Sequence, residues 1–138
     1  MTKFLLPLLF AIFTTASTQA AGSKPEEVAR AAAEEWLVLV DAGKFVESWQ
    51  KLDPGFAKKV GKKKWTASLA QIRGPLGQLG ARKLKSAEYT KELPGAPEGE
   101  YVVLQFDSAF ERKKPATEKV TMLLGKDLLW RAAGYSVK

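Results

Sequence analysis

The chain has 138 residues, 46% hydrophobic and 27% charged, which suits one globular core and leaves little length for a second. Lys and Arg total 22 against 15 Asp and Glu, a formal charge of +7, and there is no Cys and no His. Those absences exclude disulfides, thiol nucleophiles, Cys or His zinc sites, Ser-His triads and the N-terminal cysteine of a lipoprotein.

Residues 1–21 read as a cleavable export signal, with Lys3 as the positive start, an apolar run Phe4 to Phe13 and a small polar stretch Thr14 to Ala21. The apolar run is far shorter than the roughly 20 residues that cross a bilayer, so the expected destination is the periplasm or the exterior of a bacterial cell. The mature domain is expected over 22–138, with its charge reduced to +6 by loss of Lys3.

Ser23-Lys24-Pro25-Glu26 has the spacing of a capping box and predicts a helix start. Ala29, Ala32, Ala33, Trp36, Leu37, Leu39 and Val40 then recur at three- and four-residue steps, with Glu26, Arg30 and Glu34 on the opposite side, and Gly43 supplies the stop. A short helix carrying Phe45, Trp49 and Leu52 follows. Asp53-Pro54 opens another turn with Phe56 and Val60, Gly61 breaks it, and a further helix over Lys62 to Arg73 aligns Trp65, Leu69 and Ile72 before Gly74-Pro75.

From Ala81 the period changes to that of strands, expected over Ala81–Glu92, Glu100–Arg112, Thr117–Leu124 and Leu128–Val137. The turns between them are expected at residues 94–99, at Lys113-Lys114-Pro115 and at Gly125-Lys126-Asp127. In the second strand Val102, Leu104, Phe106 and Phe110 share a face, with Tyr101, Gln105 and Asp107 on the other. Helices first and an antiparallel meander afterwards predict an α+β domain, its N-terminal helices packed on a curved four-stranded antiparallel sheet.

Three stretches carry a family resemblance: Trp36-Leu37-x-Leu39-x-Asp41-Ala42-Gly43-Lys44-Phe45-x-x-Ser48-Trp49, Arg73-x-Pro75-Leu76-Gly77 followed by Arg82, and Tyr101-Val102-Val103-x-Gln105-Phe106 with Trp130-Arg131-x-Ala133-Gly134-Tyr135. From about Ala29 to Lys138 the chain resembles the DUF4019 family of small exported bacterial proteins. The resemblance implies an NTF2-like (cystatin-like) fold, in which a curved sheet wraps around helices to form a cone that often holds a small ligand. It implies no activity.

Acid-base chemistry in such a cone needs a carboxylate or imidazole whose pKa is raised by desolvation. With no imidazole, the candidates for an isomerase or dehydratase reaction are Asp41 and Asp107, and neither pattern places a buried base. The expected function is therefore a non-catalytic binding or accessory module of the cell envelope, without metal or cofactor. Arg73, beside a glycine-flanked turn, and Arg82, at the start of the first strand, are the candidate partners for an anionic or amphipathic small molecule, because a planar guanidinium donates to two oxygens at once. The alternative for Arg73 is that it binds helix-terminal carbonyls. Trp49 and Tyr135 are the candidate pocket walls, although tryptophans on apolar stripes are also core residues.

Lys58, Lys59, Lys62, Lys63 and Lys64 form a basic patch suited to an anionic envelope surface or to plain solvation. No motif for specific nucleic-acid recognition accompanies it. The polar face with Tyr101, Gln105 and Asp107 fits a solvated sheet surface, a binding face or a homodimer interface.

Overall fold

The computed structural model describes residues 22–138, so the expected signal over residues 1–21 lies outside the described residues. Among the described residues four α-helices come first: α1 (Pro25–Asp41), α2 (Phe45–Gln50), α3 (Pro54–Val60) and α4 (Lys62–Arg73). A 3-10 turn at Gly74–Leu76 leads into four strands, β1 (Leu79–Thr90), β2 (Tyr101–Phe110), β3 (Lys113–Leu124) and β4 (Trp130–Val137), in the antiparallel order β1-β2-β3-β4. The α+β arrangement expected from the change of period is the one observed.

Each helix ends for a local reason. α1 begins at Pro25 with Lys24 as N-cap and no side-chain cap, so the capping box expected from Ser23 does not form. Proline at the first position has no N–H to satisfy and its φ is already helical, which makes the serine unnecessary. At the other end Gly43, with φ 73°, donates to the Val40 carbonyl at 3.1 Å, and Lys44 donates to the Leu39 carbonyl at 2.9 Å. That pair of bonds is a Schellman closure, which turns the chain directly into α2. The Asp53 carboxylate caps α3 by accepting from the Phe56 N–H at 3.1 Å.

One face of the sheet receives the helices. Ala29, Ala33, Trp36, Leu37 and Val40 of α1 pack with Trp65 and Leu69 of α4 onto Val102, Leu104, Phe106, Val120, Met122 and Ala132. Register shifts between Leu79 and Ala81, Leu84 and Ser86, Ser108 and Phe110, and Thr121 and Met122 put irregularities in all three ladders. Bulges of this kind bend and coil strands, giving the sheet the concavity that the helices fill. The link between α2 and α3 is tied to β4 by a bridge from Leu52 to Ala132 and by the Asp53 N–H on the Ala132 carbonyl at 2.9 Å.

Strand boundaries differ from expectation: β1 and β2 end at Thr90 and Phe110, each two residues early, β2 starts one residue late at Tyr101, and β4 starts at Trp130, leaving Leu128 and Leu129 in the turn. β1 starts at Leu79, two residues early, because Leu79 pairs with Phe110. Lys113-Lys114-Pro115 is strand, and the turn contracts to Glu111 and Arg112. Proline is tolerated there because backbone pairing on the β4 side of β3 begins only at Thr117, opposite Lys138, so Pro115 lies on a stretch without a neighbour on that side. Tyr101, placed by alternation on the polar face, is only 2% exposed and donates its hydroxyl to the Pro97 carbonyl at 2.6 Å. The loop between β1 and β2 covers that face only at its Tyr101 end, and Asp107 further along it is exposed.

Gly43→Ala forces a side chain into the left-handed region and should cost about 1 kcal/mol. A melting temperature lower by a few degrees, with unchanged far-ultraviolet circular dichroism, checks this role.

Candidate functional site

The last residue of α1 and the last residue of α4 meet β1 in a buried ionic cluster. Arg73 continues the buried stripe Trp65-Leu69 one turn further, so helical spacing alone carries its guanidinium inward, where it is 6% exposed. Its Nη1 donates to Asp41 Oδ1 at 2.9 Å. Arg82 donates from Nη1 and Nη2 to Asp41 at 2.8 and 2.9 Å, and from Nε and Nη2 to Glu118 at 2.7 and 3.0 Å. One guanidinium thus makes two forked carboxylate contacts. Arg73 also lies over the Phe110 ring at 4.7 Å, and Arg82 lies 6.0 Å from the Phe106 ring centroid.

Glu118 is fully buried on β3 and accepts from every side. Ser108 Oγ donates to Oε1 at 2.6 Å and the Tyr135 hydroxyl donates to Oε2 at 2.5 Å, completing two bonds on each oxygen. Strand register explains the convergence: Arg82 stands opposite Ser108, Glu118 opposite Phe106, and Tyr135 opposite Val120, two residues from Glu118 on the same face. Two guanidiniums balance two carboxylates. Within the cluster, Arg73 Nε is a buried polar atom without a hydrogen-bond partner among the described residues.

The titrations follow from this packing. Burial pushes the Asp41 carboxyl up, but hydrogen bonds and charge from Arg82 and then Arg73 outweigh it and hold it below its ordinary 3.8. Burial works against the Arg82 charge, and the bonds to Asp41 and Glu118 overcome it and raise the guanidinium. Burial, followed by the charge and hydrogen bond of Glu118, raises the Tyr135 phenol well above 10.0. A general base near neutrality needs the reverse shift from the one Asp41 shows. Asp107 points away from the helices and is exposed.

Of the residues singled out by sequence, Arg73, Arg82, Tyr135 and Asp41 come together. Trp49 does not join them: its indole N–H donates to the Ala57 carbonyl at 3.1 Å, and its ring borders a shallow depression with Leu52, Pro54 and Lys58. The helix-end carbonyls considered for Arg73 are held by Arg112, which donates to Pro75 O at 2.8 Å and Gly74 O at 3.1 Å. Glu118 and Ser108 went unnoticed in the sequence. The available signal was parity, since Ala116, Glu118, Val120 and Met122 alternate toward the buried face with one acid among them.

The space between helices and sheet is filled with side chains. The Trp36 indole N–H donates to the Ser48 carbonyl at 3.0 Å and that of Trp65 to Ser48 Oγ at 3.1 Å, while the Trp36 ring packs against Trp65 and Tyr135 with centroids 6.2 and 5.9 Å apart. An apolar opening lies outside, between α1 and the start of β4. It encloses about 680 Å³ and is lined by Val28, Ala32, Val38, Leu39, Trp36, Met122, Leu128, Leu129 and Trp130, with Glu35, Lys51 and Arg131 among them. Lys58, Lys59, Lys62, Lys63 and Lys64 are exposed and lack carboxylate partners among the described residues.

Arg82→Met would leave Glu118 buried without its counter-charge and should destabilise the fold by about 3–5 kcal/mol, read as a fall in the urea midpoint. Because the folded-state pKa of Tyr135 is raised, its proton is bound more tightly in the native chain. That contribution is complete below about pH 10 and is lost as pH rises beyond it. Tyr135→Phe should therefore flatten the alkaline decline in stability. For Asp41, held low, the sign is opposite: its contribution is present above pH 3.8 and disappears as pH falls further.

A family model described as protein of unknown function (DUF4019) matches residues 32–135, which includes both arginines, Asp41, Glu118, Tyr135 and most of the groove. Comparison with curated proteins gives no match. The match spans most of the chain, and this protein belongs to the DUF4019 family.

Proposed function

We propose that this DUF4019 member is exported and acts in the cell envelope as a non-catalytic binding module, whose ligand is an amphipathic anion lying in the groove between α1 and the β3–β4 hairpin. The export step rests on the apolar N-terminal run behind Lys3. The observation that carries the ligand class is the grouping of exposed apolar side chains: Val28, Val38, Leu128 and Leu129 are 44, 62, 74 and 57% exposed, and all border one groove. A groove of 680 Å³ has the size of a small-molecule site and is apolar with a few polar groups, as such sites are.

Charge selects the head group. Lys51 borders the groove without an ion-pair partner among the described residues, and Arg131 stands close by. The lysines at 58, 59 and 62–64 add to the long-range attraction for an anion. The non-catalytic reading is supported by Asp41, whose carboxyl is pinned by two arginines, and by Asp107, which is solvated.

A second reading sets an anionic group at Arg73 and Arg82 with Tyr135 as a wall. The unpartnered Nε of Arg73 favours it. Against it stands the balance of the cluster, where both guanidiniums already hold carboxylates. Thermal shifts with inorganic phosphate and simple dicarboxylates, lost in Arg73→Gln, would shift preference to this reading.

The groove is tested by titrating hexadecanoate below its aggregation limit while following tryptophan fluorescence, since Trp36 and Trp130 line the cavity. Saturable binding is expected, weakened at least about tenfold in Val38→Glu with an unchanged melting temperature, because a charge would then occupy the apolar wall. Wild-type affinity in Val38→Glu, or no saturable signal in the wild-type protein, would reject the groove as the site.

A further inference from the structure

The tip of the β3–β4 hairpin combines three features that internal stability does not explain. Leu128 has φ 65°, the one left-handed non-glycine residue among the described residues, and its side chain is 74% exposed. Its neighbour Leu129 is 57% exposed. A glycine or asparagine would adopt this backbone more easily, and the leucine side chain gives up most of its burial there. Strain kept at an exposed position points to a use outside the molecule.

The tip is also built to stay in place. Gly125 donates to the Leu129 carbonyl at 2.8 Å, and Leu128 donates to the Gly125 carbonyl at 2.9 Å. Asp127 Oδ1 accepts the Leu129 N–H at 3.2 Å, and Arg131 grips both Asp127 oxygens at 3.0 and 2.6 Å. Gly125 leaves room for this closure, since a Cβ there would stand 2.6 Å from Asp127 Oδ1 and 2.8 Å from an Arg131 nitrogen and would displace that pair. The bonds from Arg131, followed by the Leu129 N–H, hold the Asp127 carboxyl down at about 2. Its charge is thereby matched by Arg131, and Lys126 is left as the tip's cation without an ion-pair partner among the described residues.

We propose that this tip is a membrane-contact element, in which Leu128 and Leu129 enter the acyl-headgroup boundary of an anionic bilayer while Lys126 meets the lipid phosphates. Two exposed leucines beside a free lysine match what an interface of apolar chains under phosphate accepts. A second copy of the chain fits less well. Stable interfaces cover about 800 Å² on each partner, and two tips meeting symmetrically would bring Lys126 against Lys126. A bilayer imposes no such requirement on area or shape. Leu128 and Leu129 also border the groove, so the two readings share these side chains, and Val38, which lines the groove away from the tip, separates them.

The test is co-sedimentation of the purified protein with vesicles of phosphatidylglycerol and phosphatidylcholine, against vesicles of phosphatidylcholine alone. Binding to the anionic vesicles is expected, reduced by added salt. Leu128→Asn should lower the apparent affinity by about tenfold, as loss of one buried leucine predicts, while its melting temperature equals or exceeds that of the wild type. Leu129→Ser should weaken binding similarly, and Val38→Glu, inside the groove, should leave it unchanged. The proposal is overturned by equal binding of wild type and Leu128→Asn, by no binding to either vesicle, or by a concentration-dependent mass that Leu128→Asn abolishes, which would assign the tip to self-association.

Discussion

A single guanidinium, that of Arg82, is the constraint on which the arrangement of helices and sheet depends. It bridges Asp41 at the end of α1 and Glu118 on β3, and through Glu118 it reaches Ser108 on β2 and Tyr135 on β4. With Arg73 at the end of α4, the cluster draws on both long helices and on every strand. Buried charges are tolerable only when each is neutralised and hydrogen-bonded, so these residues behave as a set. The requirement fixes the angle at which α1 and α4 leave the sheet. Hydrophobic contact, which has no direction, would permit a range of angles.

The same cluster shapes the chemistry open to the protein. Opposite charges meet inside the fold, and the aromatic pair Trp36 and Trp65, fixed by their bonds to Ser48, fills the rest of the interior. The polar groups that converge beneath the helices are mostly bonded to one another. The apolar surface left exposed is concentrated along α1 and the β3–β4 tip, where Val38, Leu128 and Leu129 gather. Recognition is displaced from the inside of the fold to its flank.

Much of this was legible in the residues. The change from a helical to an alternating period after Arg73 located the boundary between layers, because the two periods place apolar side chains by different geometry. Gly43, Asp53 and Gly61 marked helix ends through local backbone chemistry and did so correctly. Arg73 and Arg82 were legible as unusual cations, whereas their carboxylate partners were not. Asp41 is 32 residues from Arg73, and Glu118 is 36 residues from Arg82, and pairing over such intervals is decided by register and helix angle. Pro115 misled for a related reason: whether a proline breaks a strand depends on a neighbour that only the assembled sheet reveals. The groove was invisible because it joins a helix face to a hairpin nearly a hundred residues later.

One feature of the connection into β1 bears on how force and motion are distributed. Glu111 accepts the Gln78 N–H at 2.6 Å, Arg112 grips Gly74 and Pro75, and Gly77 leaves only 2.9 Å between its missing Cβ and that of Glu111. At the same end of the sheet, on its opposite edge, Lys138 exchanges two backbone bonds with Thr117, each 2.9 Å. The molecule therefore has a riveted pole and, beyond the bond from the Leu124 N–H to the Glu100 carbonyl at 3.0 Å, a hairpin tip over residues 125–129 whose bonds run within the hairpin. A load arriving through Leu128 would travel down two strands as through a lever, with its fulcrum at the bridge between Leu52 and Ala132.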